Sequence, residues 1–472
     1  MKVLVIGKGG REHAIVWKLL QSPRVELVYC APGNAGTALD ALNVALDLDD
    51  FDGLVRFVKK EDIGLTVVGP EEPLTRGLVD HFHKHKLRVY GPTREAAQLE
   101  GSKVFSKTVM RQADVPTADF VVFDHPEPAR HYIRSRECVM LGNGQNVYYP
   151  FEGYQVVVVD GVKQLHEGRL VHKISPPEPM VVKADGLAAG KGVFVCSTTD
   201  EALAAIERIM VREEFGRTAG RQIIIEKKLE GEEVSLLALV AGRSIVPLPA
   251  TQDHKRAFDG DRGPNTGGMG AYCPAPVGTP EVLQIADRDV FIPTVHHMRQ
   301  RGTPFLGILY AGLMVTPQGP RVLEFNCRFG DPECQPLLMR LKSDLLDLIE
   351  ASLDDRLDEV ALSMEWDPRP AVCVVMASGG YPGPFEKGHL ISGLGRVAAM
   401  EDVKVFHAGT RVEKDRVVTD GGRVLGITAL GDTLEAARAR AYEACAAITF
   451  KDAHYRKDIG LKGVAAPPAS EG

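Results

Sequence analysis

The stretch Lys183-Ala184-Asp185-Gly186-Leu187-Ala188-Ala189-Gly190-Lys191-Gly192-Val193 follows one short apolar run, Met180 to Lys183, and leads into another. It therefore reads as a flexible turn between two strands, and its small residues let backbone approach a ligand closely. Amide groups together with the charges of Lys183 and Lys191 suit a triphosphate. A P-loop would need four residues between its glycines and a hydroxyl residue after the lysine, whereas three separate Gly186 from Gly190 and Gly192 follows Lys191. The missing hydroxyl is the group that would hold a metal, so a divalent cation has to be held elsewhere.

Candidate ligands stand in Val322-Leu323-Glu324-Phe325-Asn326-Cys327-Arg328-Phe329-Gly330-Asp331-Pro332-Glu333. Side chains alternate along a strand, so Glu324 and Asn326 share a face. Two hard oxygen donors completed by phosphates and water are what Mg²⁺ prefers. A solvated surface strand would show the same pattern, but Val322, Leu323 and Phe325 favour burial, where an unpaired carboxylate is costly. Between the two stretches lie Thr251-Gln252-Asp253-His254-Lys255-Arg256 and Gly263-Pro264-Asn265-Thr266-Gly267-Gly268-Met269-Gly270, too polar for core and rich enough in donors for a binding loop. His254 fits a structural hydrogen-bonding role as well as a base, and no proton transfer is placed on it.

Toward the N-terminus, strands at Val3 to Ile6, Val25 to Tyr29 and Leu65 to Val68 alternate with helical patterns at Glu12 to Leu20 and Leu54 to Lys59. Such alternation predicts an open parallel sheet over about the first hundred residues, with its ligand edge at the carboxyl ends of the strands. Gly7-Lys8-Gly9-Gly10-Arg11-Glu12 lacks the third glycine of a dinucleotide fingerprint, and the second strand ends in Cys30 and Ala31 where a ribose-binding acid would stand, which argues against NAD. A glycine turn before a helix still favours an anion; glycines serving only a tight turn remain the alternative. From Pro116 to Pro179 the pattern changes to hairpins and loops, with Gly142-Asn143-Gly144, Val156 to Val159 and Pro176-Pro177. Regular patterning then resumes through a helix at Glu201 to Met210 and strands at Ile223 to Ile225, Ser235 to Val240 and Val372 to Met376, ending in a helix at Leu434 to Ala447.

At 472 residues, 44% hydrophobic and 25% charged, the chain is a multidomain globular protein. A formal net charge of -7 argues against nucleic acid or an anionic membrane as partner. The N-terminal apolar run is too short for a signal peptide or a membrane span, which points to the cytoplasm. Eight scattered cysteines without a C-x-x-C pair read as reduced structural thiols.

Taken in order, GGREHA, APGNAGT, VGPEEPL, GPT, LEGSK, VVKADGLAAGKGV, EGEEVS, QDHKR, GPNTGGMGAY, EFNCRFGDPE, ASGGYPG, VFHAGT, GGRVLG and RKDIG resemble the ATP-grasp superfamily and, within it, the glycinamide ribonucleotide synthetase family. The resemblance covers Met1 to about Arg130 and Pro179 to about Val464. It implies an α/β multidomain fold: a Rossmann-like N-terminal substrate domain over 1–102, an ATP-grasp domain over 103–345 with a small B lid at about 118–226, a mixed C-terminal domain over 346–464, and a disordered tail over 465–472. The implied reaction joins glycine to 5-phosphoribosylamine at the expense of ATP, with Mg²⁺ or alternatively Mn²⁺, in a monomer or at most a dimer.

By the same resemblance Lys103 and Lys183 bind phosphate, and Ala188, Ala189, Gly190, Lys191 and Gly192 cover it. Glu226, Lys227, Lys228 and Leu229 form the adenine hinge, Glu233 binds ribose, and Arg256 and Asn265 contact ATP. Glu324 and Asn326 are the metal ligands. Gly9, Gly10, Arg11, Asn34 and Glu71 line the phosphoribosylamine pocket, and Asp253, Arg328 and Asp331 stand nearer glycine and the transfer step.

The chain departs from the family pattern in four places. About 137–178 is some forty residues longer than the pattern leads one to expect, and its aromatic and β-branched residues predict an ordered hairpin or loop. Lys8 stands where Asn is usual, and Lys227-Lys228 replace an acidic-aromatic pair. Cys334, where Thr is usual, is a smaller change. Two other readings remain: an ATP-grasp ligase with a different substrate pair, which the long segment and Lys8 could re-aim, and a catalytically silent nucleotide-binding scaffold, against which the intact Lys183, Lys191, Glu324 and Asn326 argue.

Overall fold

The computed structural model describes residues 1–141, 146–150, 154–159, 162–167, 170–173, 178–187 and 192–465. Contacts divide it into a larger unit (1–101, 109–116 and 231–472) and a smaller one (102–108 and 117–230).

The larger unit opens with the expected parallel sheet of five strands, in the order Leu42–Asn43, Leu27–Pro32, Lys2–Gly7, Leu65–Val68, Val89–Tyr90. Val3, Leu4, Val5 and Ile6 are all fully buried, as a strand covered on both faces requires. Its carboxyl edge is closed by backbone: Gly33 N donates to Gly7 O at 3.1 Å and Gly69 N to Ile6 O at 3.1 Å. A four-stranded antiparallel sheet follows, ordered Ser244–Pro247, Glu232–Ala241, Leu306–Thr316, Gly319–Asn326. Val5 and Ile15 of the first layer share one core with Leu237, Tyr310, Leu346 and Phe406.

A third sheet has five strands in the order Gln252–Asp253, Gly270–Cys273, Ala371–Ala377, Arg423–Leu430, Val403–His407. Gly270 stands opposite Val374 and Cys273 opposite Ala371, so one hydrogen-bonded sheet runs across the boundary expected near residue 346. Strand alternation shows which faces are apolar but not which distant strand completes the ladder.

In the smaller unit, Val193–Cys196, Met180–Ala184, Ile223–Lys227 and Phe120–Phe123 form an antiparallel sheet. Helices Pro126–Arg134 and Thr199–Ile206 bury Ile133, Ala202 and Ile206 with Val182 and Ile225. Thr198 starts the second helix as a capping box with Glu201. The helix expected over Glu201 to Met210 ends at Ile206 and continues as one wider π turn, Glu207–Val211. The long segment is ordered as hairpins where described: Cys138–Met140 pairs with Asn146–Tyr148, and Gln155–Val159, Val162–Glu167 and Leu170–Lys173 make an antiparallel sheet. Val139, Leu141 and Leu165 form its small core. At the other end Ala465, expected to begin the disordered tail, closes a short helix, Leu461–Ala465, and 466–472 lie outside the described residues.

All eight cysteines are free, and all but Cys138 are buried. Burial pushes the Cys30 thiol up to about 12, consistent with inert structural thiols. Among the described residues no helix is long and apolar enough to cross a membrane.

A buried histidine pair ties the N-terminal sheet to the C-terminal one. His407 N donates to His13 Nδ1 at 2.8 Å, while His13 Nε2 and Lys404 Nζ each lie 3.0 Å from Asp40 Oδ2. Nδ1 accepts, so the ring proton sits on Nε2 and His13 is neutral. Burial lowers the pKa of both rings and takes His407 to about 3. The unfolded chain, with ordinary histidines near 6.5, binds more protons between those values, so stability rises with pH across that window. Acidifying from about 6.5 toward 3 is expected to cost up to about 1.4 kcal/mol per pH unit from His407 alone. Urea unfolding as a function of pH should show a shallower slope in His407→Gln; identical slopes would remove His407 as the cause.

Candidate active site

At the N-terminal glycine turn the expected anion is already present, because Glu12 fills the seat. A Cβ on Gly7 would lie 2.4 Å from Glu12 Cγ, and one on Gly69 2.3 Å from its Oε1, so both positions need glycine. Gly9 N donates to Glu12 Oε2 at 2.6 Å and Arg11 Nε to its Oε1 at 2.6 Å. A ligand phosphate is thereby displaced from the turn itself. Asn34 also departs from its expected role: Nδ2 donates to Lys8 O at 2.9 Å and His407 O at 2.8 Å, and Oδ1 accepts from the amides of Gly36 and Thr37. Its backbone is engaged as well, N donating to Thr37 Oγ1 at 2.7 Å and O accepting from Asn43 Nδ2 at 2.7 Å, so Asn34 shapes the loops rather than offering free groups.

Arg11 reaches on to Phe329 O at 3.1 Å and stands 3.8 Å from Glu71 Oε2. Arg328 is the hub of this region. Its Nε donates to Glu71 Oε2 at 3.1 Å, and its Nη2 lies 2.6 Å from Glu100 Oε1 and donates to Asn326 Oδ1 at 3.2 Å. Glu100 uses its other oxygen to accept from Cys327 N at 2.7 Å. Burial raises Glu71, yet Arg328 and Arg11 outweigh it and hold that carboxyl at about 2. For Glu100 burial prevails over Arg328, and its carboxyl sits at about 7.

Asp331 is half-buried; burial would raise it, but Arg423 and Arg11 keep it below its usual range. Arg423 Nη1 donates to Asp331 O at 2.6 Å and Nη2 to its Oδ2 at 3.2 Å, while Gln335 Nε2 donates to Oδ1 at 2.8 Å. Gly10 has no room for a Cβ, which would come within 2.6 Å of Gln335 Nε2. The structure thus brings Gly9, Gly10, Arg11, Glu71, Arg328 and Asp331 together.

Glu324 and Asn326 do share a face, as their i, i+2 spacing requires, although the strand is irregular just before them. Leu313 stands opposite Val322 and Gly312 opposite Glu324, so Leu323 is an extra residue and the strand bulges there. Tyr310, opposite Asn326, donates to Glu333 Oε1 at 2.7 Å and shares a hydrogen bond with Ser235 at 2.8 Å. Asp253 lies against Gly268, where a Cβ would meet its Oδ1 at 2.7 Å, and that oxygen has no hydrogen-bond partner among the described residues. Burial and the charge of Glu333 push the Asp253 carboxyl well up.

Glu233 pairs with Lys255 at 2.8 Å, and Glu233 and Glu324 together overcome burial to keep Lys255 strongly basic. Arg256 and Asn265 face each other across the hairpin Arg256–Phe258/Arg262–Asn265. From the C-terminal RKDIG segment, fully buried Arg456 holds this hairpin, donating to Arg256 O at 3.1 Å and Asp261 Oδ1 at 2.9 Å. His254 is buried, and burial takes it down to about 4, so it is neutral and offers no proton at neutral pH.

In the smaller unit Lys107 Nζ is 2.7 Å from Glu226 Oε2, and Lys183 Nζ pairs with Glu226 Oε1. Burial alone would raise the Glu226 carboxyl, but Lys183 and Lys107 hold it low, so the trio carries one net positive charge. The Glu226 side chain faces these lysines, and its backbone stands in the sheet between Val181 and Phe120. Lys227 N donates to Asp119 O and Lys228 N to Pro179 O, each at 3.0 Å, so those two amides are taken by the fold. Lys227 Nζ pairs with Glu178 at 2.8 Å, and Leu229 follows at the strand's exit. Lys103 Nζ donates to Gly186 O at 2.9 Å, Asp185 accepts from Val104 N at 3.1 Å, and Ala184 N donates to Gly192 O at 2.8 Å. Both ends of the glycine-rich loop are thereby anchored; Ala188, Ala189, Gly190 and Lys191 lie outside the described residues.

Glu100, Lys255, Glu333, Arg423 and Arg456 were not singled out from the sequence, although each sits inside a quoted motif. Lys107 and Tyr310 carried no signal, one in an ordinary helix and the other in an apolar strand.

Three successive stretches of the chain are similar to one known family. Residues 1–100 match the family described as phosphoribosylglycinamide synthetase, N domain; residues 157–334 its ATP-grasp (A) domain; and residues 371–462 its C domain. A phosphoribosylamine–glycine ligase of Rhodopirellula baltica is 51% identical over 462 residues, covering 98% of each chain, and one of Allochromatium vinosum is 50% identical over 468 residues, covering 98% of this chain and 99% of that one. Among solved structures, the phosphoribosylamine–glycine ligase of Thermotoga maritima has a TM-score of 0.73 at 31% identity, over 97% of this chain and all of its own. A biotin carboxylase of Campylobacter jejuni, at 12% identity, has a TM-score of 0.69 over 99% of this chain and 95% of its own and shares the fold alone. The fold is therefore that of the ATP-grasp class. Within that class the chain belongs to the phosphoribosylglycinamide synthetase family.

Proposed function

We propose that the chain ligates glycine to 5-phosphoribosylamine, consuming ATP and releasing ADP, phosphate and glycinamide ribonucleotide. The observation that carries this reading is the convergence of Arg11, Arg328 and Arg423 on Glu71, Glu100 and Asp331, next to the oxygen donors Glu324 and Asn326. Carboxylate attack on a triphosphate brings anions together and needs fixed cations more than it needs an acid or base. Relatives 51% and 50% identical over nearly their whole length carry the ligase name, which supports the substrate pair.

Glu324 and Asn326 fit a hard divalent cation in that both present oxygen from one strand face; Asn326 Oδ1 accepts from Arg328 Nη2 with one lone pair and has a second to offer. When bound, Mg²⁺, or Mn²⁺ in its place, would neutralise phosphate charge. The protein's own groups do the rest. Lys183 and Lys103 hold phosphate, Ala188 to Gly192 cover it, and the Glu226–Leu229 backbone takes adenine. Glu233 takes ribose, and Arg256 and Asn265 contact ATP from a hairpin that Arg456 steadies.

A glycine carboxylate oxygen attacks the γ-phosphorus and the bond to the β,γ-bridging oxygen breaks, giving glycyl phosphate and ADP. The amine nitrogen then attacks the acyl carbon, phosphate leaves with its oxygen, and the amine loses a proton. Gly9, Gly10, Arg11, Asn34 and Glu71 line the amine's pocket, Asn34 by holding the loops that shape it, and Arg328, Asp331 and Asp253 face the transfer step. Acyl phosphate is readily hydrolysed, so water must be kept from it until the amine attacks. We read the enzyme as cytoplasmic and as a monomer or at most a dimer.

The test is ADP release by the purified chain with glycine and freshly made phosphoribosylamine. Turnover well above the glycine-free control is expected. Its absence would sink the reading, and turnover with a different amino acid would shift the substrate while keeping the chemistry.

A further inference from the structure

Among the described residues, one group of metal-ligating side chains, Asp52, His81 and His85, brings its donor atoms within 4.8 Å of one another. His81 and His85 are one helical turn apart, on Leu78–Lys84 and its C-cap, and side chains at i and i+4 stand on the same face. Their rings lie 5.0 Å apart between centroids. Asp52 comes from the first turn of a second helix, Phe51–Lys60, and its Oδ1 is 2.9 Å from His81 Nε2. The Phe51 ring packs against the His81 ring at 5.8 Å between centroids, and Arg76 lies 5.7 Å from the Phe51 centroid. None of these residues belongs to the candidate active site.

We propose that Asp52, His81 and His85 form a surface site for a divalent transition metal, Zn²⁺ foremost, that staples the two helices together. Two imidazoles and one carboxylate are the borderline donor set that suits Zn²⁺, Co²⁺ or Ni²⁺, with a further position open to water. Mg²⁺ prefers all-oxygen sites, so the cation of the nucleotide chemistry does not compete. Tetrahedral ligation at 2.0–2.2 Å needs donor separations of roughly 3.3 Å, within reach of small rotations from the present spacing. Half of the site, the Asp52–His81 pair, is already assembled. On the adjoining loop Asp49 pairs with Arg76 and Asp50 with Arg56, so only Asp47 among these three adds uncompensated negative charge beside the site.

The full-length untagged chain, stripped with chelator and freed of ATP, is titrated with ZnCl2 by calorimetry and with CoCl2 by visible absorption. One equivalent is expected to bind, with visible bands of a nitrogen-ligated Co²⁺ and a rise in thermal midpoint on adding Zn²⁺. His85→Ala, which leaves the Asp52–His81 bond in place, should weaken binding at least about 10-fold, as should Asp52→Asn, whereas His83→Ala on the same helix should not. Millimolar Mg²⁺ should not displace the metal. Absence of one-equivalent binding in the unmodified chain overturns the proposal. So does binding that survives unchanged in both His85→Ala and His81→Ala.

Discussion

Glu324→Ala is expected to lower ATP turnover at low Mg²⁺ by about 10³-fold or more, with the fold intact. Removing a single preorganised donor from a charge-stabilising site costs about 10²–10³ in rate, and a direct ligand of the phosphate-bound cation should lie at or beyond the upper end. The strand tolerates the change because Val322 and Phe325 provide its burial while Glu324 is only half-buried. Lys255, which Glu324 helps to keep charged, retains its partner Glu233. ADP release is measured from low to high Mg²⁺, beside the thermal midpoint of the variant. A shift of the Mg²⁺ dependence toward higher concentration identifies a lost ligand, whereas wild-type turnover at low Mg²⁺ would refute the assignment. Asn326→Ala should behave similarly but more mildly, since it removes a neutral donor and also frees Arg328 from a 3.2 Å hydrogen bond.

The contrast between Glu324 and Asn34 shows where sequence reasoning reaches and where it stops. The i, i+2 spacing of Glu324 and Asn326 fixes a shared face by geometry alone, and the bulge at Leu323 does not disturb it because it falls before both. The parallel N-terminal sheet was legible for a similar reason: short apolar runs alternating with helical patterns have few other solutions. Asn34 was placed correctly at the strand edge, yet whether its amide faces a ligand or three loops depends on His407, distant by 373 residues. Glu12 is the sharpest instance. A glycine turn before a helix announces an anion, but not that the anion is supplied three residues later by the chain itself. The sheet joining Gly270–Cys273 to Ala371–Ala377 was hidden likewise, because strand partnership at long range leaves no periodic trace.

These differences sharpen the electrostatics of the proposed reaction. Arg11 spends part of its charge on Glu12, and Lys183 shares Glu226 with Lys107, so neither is a bare cation waiting for phosphate. Fixed carboxylates next to arginines hold the guanidinium groups in place before substrate arrives, which is how preorganisation lowers the cost of stabilising a transition state. Within each unit the candidate cations are thus compensated charges, set by their own partners.

Arg328 is the one on which the larger unit most depends, and Arg328→Leu is expected to destabilise that unit by about 3–5 kcal/mol, the range found when one partner of a buried ion pair is removed. Glu71 would retain Arg11 at 3.8 Å, but Glu100, with its side chain 6% exposed, would lose its only ion-pair partner among the described residues. Glu100 already sits at about 7, since burial outweighs Arg328, and losing the arginine raises it further. A raised carboxyl binds its proton more tightly in the fold than in the unfolded chain, so stability falls as pH rises from about 4.3 through the folded value. Urea unfolding should therefore show the Leu variant weakest above neutral pH and partly restored near pH 5. Adding Glu100→Gln should recover part of the loss and flatten the pH dependence, because the stranded charge is then absent. Arg328→Lys, keeping a charge but not the planar fork that reaches Glu71, Glu100 and Asn326 at once, should fall between the two. A Leu variant within about 0.5 kcal/mol of the parent at pH 8, the scatter of ordinary surface substitutions, would show that Glu100 is carried by something other than Arg328.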